Sequence, residues 1–307
     1  MAKIEPLIDK YGTFARASFF ADYLEVVALR DQRVKLSSLR DLIEETYPRV
    51  KRILRPGGDE EDLPDWKPTD LADEAWTCIL QRADVLGDRY PFTIRREVLN
   101  RAAGLNPADS VYVGLLAITV SHAFSIMAPS LVEHLLEEVV SDSLENVGLK
   151  VGRLGPLSRS SGFDFVRTMD ALGQALSIPI NANATTRRNN ANDEDVDIVA
   201  HLDWGTARSG RWLFVGQVTC AVSDDWRKKA QEPAVNDWQK FFGEVIAPVP
   251  FLAVPHHADD ETFKYVTSIS VNILDRTRIV QNLRQNTAAQ RDVVDALMDA
   301  EYASFKV

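Results

Sequence analysis

The stretch Asp195-Val196-Asp197-Ile198-Val199-Ala200-His201-Leu202, followed by Trp212-Leu213-Phe214-Val215-Gly216-Gln217-Val218-Thr219-Cys220, decides how this chain is read. Each segment is a short run of Val, Ile, Leu and Phe bounded by polar residues, which predicts two successive strands. Asp195 and Asp197 stand two apart, as do Gln217 and Thr219, so each pair shares one face of its strand. A buried glutamine costs stability unless its amide is hydrogen-bonded, so Gln217 marks either a polar site or a sheet edge.

Outward from these strands, the second half alternates helix and strand. Phe163 to Leu176 carries Phe165, Met169, Leu172 and Leu176 on one helical face. Asp164 lies on it beside the small residues Thr168, Ala171 and Ala175, which would let the helix lie close to the sheet. Asn181 to Asn192 reads as a polar loop. Asp224 or Asp225 caps a helix with Trp226 as a packing anchor. Phe251 to Val254 and Val266 to Leu274 are two more expected strands, Asp275 caps a helix through Leu283, and Ala288 to Phe305 is a helical tail. The sum is a small mixed sheet flanked by helices.

The first 150 residues read instead as all-α. Helices are expected over Tyr23 to Arg30, Leu36 to Tyr47, Thr69 to Leu86, Val111 to Ala128 with Ser110 as cap, and Leu131 to Val140. The turn-rich Gly152-Arg153-Leu154-Gly155-Pro156 is the expected boundary, giving domains 1–150 and 151–307. Composition fits globular domains: 45% of the 307 residues are apolar, and two cysteines, Cys78 and Cys220, are too few for a disulfide framework. No apolar run approaches the ~20 residues of a membrane span, and Met1 to Glu5 shows no signal-peptide stretch. A cytoplasmic protein without membrane contact is the expectation.

The net charge of −10 disfavours nucleic acid as a partner, yet charge is uneven. Between Lys150 and Arg188 six basic residues face two acidic ones, and Arg227-Lys228-Lys229 follows the Gln217 strand. Local positive charge is what phosphates meet. Oxygen ligands at strand positions suit hard cations such as Mg²⁺, which polarise phosphoryl oxygens and deliver hydroxide.

In this order the parts resemble the PD-(D/E)XK, restriction-endonuclease-like nucleases: an acid on a helix, an Asp on a strand, then Glu/Gln-X-Lys on the next strand. Phe163-Asp164-Phe165, Asp195-Val196-Asp197-Ile198-Val199 and Val215-Gly216-Gln217-Val218-Thr219 carry the likeness over residues 155–285. More narrowly, Gly216 to Cys220 followed by Asp225 to Lys229, Pro250 to Pro255 and Ile273 to Val280 is similar to bacterial members associated with restriction and phage defence. The resemblance implies an α/β nuclease-like core preceded by a helical regulatory or partner-binding domain, and Mg²⁺ or Mn²⁺ held by Asp164, Asp197 and Gln217. It implies DNA as substrate; an ATPase or helicase partner and a homo-oligomer both fit. Thr219 stands where the family has lysine, and Lys228 or Lys229 is the expected replacement for its charge. Arg187, Arg188 and Arg227 are candidate phosphate contacts. The competing reading is a degenerate nuclease fold serving as a binding or scaffolding subunit.

Other polar residues carry blander expectations. His256 and His257 are adjacent on an extended segment, so they point apart and do not chelate together. His122 is expected to be a satisfied core histidine, and His201 to face away from Asp197. No phosphate-binding G-x-x-x-x-G-K-[ST] loop and no G-x-S-x-G elbow is present.

Overall fold

The computed structural model describes residues 3–4, 16–54, 68–162, 164–181, 196–206, 208 and 210–302. Asp195, Arg187 and Arg188 lie outside the described residues. The described residues hold β1 (Lys3–Ile4), α1 (Arg16–Asp31), β2 (Arg33–Lys35), α2 (Leu36–Leu54), α3 (Pro68–Leu86), β3 (Phe92–Arg95), β4 (Val98–Arg101), α4 (Val111–Phe124) and α5 (Pro129–Asn146). There follow β5 (Leu149–Arg153), α6 (Leu154–Ser160), α7 (Phe165–Leu176), β6 (Ile198–Leu202), β7 (Leu213–Val218), α8 (Ser223–Gln231), α9 (Val235–Phe241) and β8 (Val249–Ala253). The chain closes with α10 (Asp260–Thr267), β9 (Asn272–Leu274), α11 (Arg276–Asn282), α12 (Ala288–Asp299) and β10 (Glu301–Tyr302). None of these helices is long and apolar enough to cross a membrane.

The expected α/β character of the second half is seen in a five-stranded mixed sheet of order β5-β6-β7-β8-β9. β5, β6 and β7 run antiparallel, whereas β7, β8 and β9 run parallel. Parallel neighbours need a crossover, and α8 with α9 supplies it between β7 and β8, α10 between β8 and β9. Helices cover both faces. Ile198, Phe251 and Ala253 face the helices of the first half, in one core with Val132, Leu136 and Val139 of α5. Val199 and Val215 face the other way, against Met169 and Leu172 of α7 and Trp238 of α9. Leu252 and Ile273 continue that side against Trp226 of α8 and Val266 of α10.

Three expectations are corrected here. Residues 1–150 are not purely helical, because β2, β4 and β3 form an antiparallel sheet. Its hairpin turns at Arg96-Glu97, where Arg96 takes φ 56°, a conformation usually announced by Gly or Asn. Gly152 is not in a turn: it lies inside β5, opposite Val199. A Cβ there would meet Leu172 at 2.4 Å, so glycine is what lets α7 lie flat on the sheet. Val266 is helical, because Asp259 caps α10 by accepting from Thr262 N at 2.8 Å.

The main core runs across residue 150, joining Phe20 and Leu24 of α1 to Ile279 of α11 and Val293 of α12. At its centre lies a buried polar lattice. Arg276 donates to both carboxylate oxygens of Asp22, at 2.7 Å each, and Arg82 pairs with Asp22 at 2.7 Å and with Glu25 at 2.9 Å. Tyr90 and Tyr112 hydroxyls donate to Glu25. Two arginines and two carboxylates cancel, which is how charges can sit fully buried.

Candidate metal centre

Directly opposed residues of an antiparallel pair point to the same face, as do alternate residues along each strand. Val199 and Val215 are paired and both lie beneath α7. One alternation further, Asp197 and Gln217 therefore project to that same face, at the end of the sheet where β6 begins and β7 finishes. Asp197 is fixed there twice: its N–H donates to the Gly216 carbonyl at 2.9 Å, and its Oδ2 accepts from Val218 N at 2.7 Å. Gln217 is buried, 7% exposed, next to Leu252 of β8.

α7 brings the expected helix acid to the same end. Its last turn lies over the far end of β6, where His201 Nε2 sits 2.9 Å from the Leu176 carbonyl oxygen. Its first turn accordingly lies over the Asp197 end. Asp164 is the N-cap of α7 rather than a residue within it, accepting from Arg167 N at 3.0 Å. Its side chain is half exposed, because a cap sits at the lip of the helix and not on its buried stripe. The same contact places His201 on the Asp197 face, contrary to expectation: residues four apart on a strand point the same way.

Thr219 has a local reason to be threonine. Its N–H extends the ladder to the Ala253 carbonyl at 3.0 Å, and its Oγ1 accepts from Ala221 N at 3.0 Å, closing the turn into α8. The two candidate lysines differ in placement. Ser223, Trp226 and Ala230 form the buried stripe of α8, with Trp226 Nε1 donating to the Ala221 carbonyl at 2.9 Å. Lys228 lies about 200° around the helix from Trp226, on the outward side. Lys229 lies on the flank of the buried stripe and pairs with Glu232 at 2.8 Å. Arg227 stands 4.9 Å over the Tyr265 ring, a cation–π contact that ties α8 to α10.

One acid escapes the sequence reading. Glu137 lies on α5, on the other side of the sheet but at the same end. Leu154 N donates to the Asp197 carbonyl at 2.8 Å, and a Cβ on the neighbouring Gly155 would stand 3.6 Å from Glu137 Oε2. That oxygen is buried without a hydrogen-bond partner among the described residues. Burial pushes the Glu137 carboxyl up, against the pull of His134, Arg153 and Arg159. Only its place on the helix preceding β5 could have signalled it, since Glu133 and Glu137 look like any charged pair on an amphipathic helix.

Elsewhere, His122 is partly exposed, with Nε2 3.3 Å from Glu133 Oε1, because the last turn of α4 meets α5 at the surface. His256 and His257 are buried apart, His256 beside Trp226 and His257 Nδ1 3.0 Å from Thr277 Oγ1. Among the described residues no group of three or more His, Cys, Asp or Glu gathers. Asp197 and Gln217 share one face at the sheet end, with Asp164 at the lip of α7, oxygen donors of the kind hard cations take, whereas Glu137 lies on the opposite face. No family model, curated protein or solved structure matches this chain.

Proposed function

We propose that this chain is a divalent-cation-dependent nuclease acting on DNA phosphodiesters, with its centre at the end of β6 and β7. The observation that carries the reading is the carboxylate of Asp197 pinned by Val218 N–H opposite the buried Gln217. Asp197, Gln217 and Asp164 would hold Mg²⁺ or Mn²⁺. A cation held there polarises a phosphoryl oxygen and lowers the pKa of attacking water. Asp197 is preorganised for this, since its backbone and one carboxylate oxygen are already fixed by β7. Arg167, exposed beside Asp164, offers positive charge to the phosphate backbone, whereas Arg153 and Arg159 are engaged by Glu138 and His134 of α5. Lys229, on the sheet-side flank of α8, is the better-placed substitute for the strand lysine. A role in restriction or antiphage defence, with an ATPase or helicase partner, follows from the same resemblance.

Cleavage of supercoiled plasmid with Mg²⁺ or Mn²⁺ tests the reading. Wild type is expected to nick or linearise it and Asp197→Ala to be at least ~100-fold slower, in keeping with loss of a metal ligand. Equal rates for the two proteins, or no cation uptake by calorimetry, would sink the enzyme. A second reading, a non-cutting nuclease fold that binds DNA, is favoured by Thr219 closing a turn and by Lys229 pairing with Glu232. It predicts DNA retention in Mn²⁺ without any cleavage.

A further inference from the structure

The opposite end of the same sheet carries an apolar surface that the proposed chemistry does not use. Trp204 and Trp212 flank the β6–β7 connection at 56% and 54% exposure, with ring centroids 5.5 Å apart, edge to face. Trp76, Trp226 and Trp238 are buried, so the exposed pair is not how this chain usually places its tryptophans. The patch continues through neighbours in register. Trp212 lies two residues before Phe214, which pairs with the exposed Val249. Val245 and Ile246, 77% and 48% exposed, follow Glu244, whose carboxylate accepts from Gly210 N at 2.6 Å. Val147, 56% exposed, lies two residues before Leu149, which pairs with Leu202.

The charges among these residues are largely cancelled in place. Lys150 pairs with Asp203 at 2.8 Å and Arg211 with Glu244 at 2.5 Å, and the exposed Arg208 and Glu145 are of opposite sign. A chain of net charge −10 repels its own copy over most of its surface, and this near-neutral patch is a place where two copies can meet. Area bears on the strength of such contact. A Trp side chain carries about 150–250 Å², so the pair presents on the order of 200 Å² of aromatic surface, against the ~800 Å² per partner of a standard interface. With Val147, Val245, Ile246 and Val249 as rim, that is enough for a reversible dimer and too little for an obligate one.

We infer that this chain self-associates through the Trp204–Trp212 patch, with a second copy seated on it about a two-fold axis. The patch lies a five-residue strand away from Asp197, so a dimer formed there turns its two sheet ends outward, each open to its own nucleic acid. The proposal does not depend on the nuclease reading, because Asp197→Ala leaves the patch intact.

Sedimentation velocity on the full chain between about 1 and 200 µM tests it. Wild type is expected to pass from 34.3 kDa toward twice that mass, with a midpoint on the order of tens of micromolar, as suits a small interface. Trp204→Ser with Trp212→Ser should remain monomeric, and Val245→Asp alone should raise the midpoint at least about tenfold by adding like charge. Unchanged far-ultraviolet circular dichroism controls for folding, and the exposed Val245→Asp variant answers the question even if the double variant misfolds. A wild type that stays monomeric to 200 µM overturns the proposal, as does a dimer that survives both variants. Tryptophan quenching by oligothymidylate at concentrations where wild type is monomeric throughout would reassign the patch to nucleobases.

Discussion

Arg276 grips Asp22 with both terminal nitrogens, 2.7 Å to each carboxylate oxygen, across 254 residues of sequence. Both are buried, and each holds the other charged. Burial alone would push the Asp22 carboxyl up, but Arg276 and Arg82 hold it well below the usual range. Burial likewise pulls Arg276 down, while Asp22 and Tyr112 more than offset it. Removing Arg276 leaves Arg82 alone to balance the two buried carboxylates of Asp22 and Glu25, so Arg276→Met is expected to cost about 3–5 kcal/mol in urea unfolding. Asp22→Leu combined with Arg276→Met should cost far less than the sum of the single changes. Additive single effects would show that the pair is not coupled.

Gly216 shows a second dependence, between the strand that carries Gln217 and its parallel neighbour. A Cβ on Gly216 would lie 2.3 Å from the Phe251 ring, and the ring belongs to a fully packed core. Gly216→Ala should therefore destabilise by about 1–3 kcal/mol through overpacking. Phe251→Leu in the same chain should recover part of that loss. If Gly216→Ala leaves the urea midpoint unchanged, the ring is not as tightly held as its contacts imply.

His256 gives the fold a pH dependence of predictable sign. Burial pushes its pKa down to about 4 from an ordinary value of 6.5, with Asp22 pulling the other way and Arg276 adding to the fall. Between about pH 6.5 and 4 the unfolded chain thus binds a proton that the folded chain refuses. Stability from this residue is complete above pH 6.5 and is lost as pH falls, by up to about 3 kcal/mol. Burial raises the Glu137 and Asp275 carboxyls, which contributes an opposite slope. The comparison with His256→Gln removes that background: the gap in unfolding free energy between wild type and variant should shrink steadily from pH 7 to pH 4. A constant gap would mean that His256 does not titrate differently in the two states.

The strands of the second half were legible because Val, Ile and Phe alternate with polar residues at their ends. Asp275 and Ser110 were legible as helix starts because short polar side chains there accept from the N–H three residues on. The β3–β4 hairpin was not, since its turn is Arg96-Glu97 and carries no glycine or asparagine. Nor was the burial of Glu137, which depends on α5 packing across residue 150 onto the sheet, a contact with no local pattern. His201 shares the face of Asp197, four residues away on the same strand, a placement that strand alternation alone dictates.

Thr219, Lys228 and Lys229 test where the proposed centre draws its positive charge. Thr219 shares the face of Gln217, and its hydroxyl is engaged in the turn with Ala221. A lysine at 219 would lose that turn contact, a cost of about 1 kcal/mol, and gain a cation on the face of Asp197 and Gln217. Thr219→Lys is therefore expected to raise Mn²⁺-dependent plasmid cleavage by about tenfold or more, at slightly lower stability. Lys228→Ala, on the outward side of α8, should change the rate less than about twofold. Lys229→Ala should lower it by at least about tenfold, and Glu232→Gln, which releases Lys229 from its pair, should raise it. Equal losses for Lys228→Ala and Lys229→Ala would place the charge elsewhere. A Thr219→Lys protein that still cuts nothing would favour the binding subunit over the enzyme.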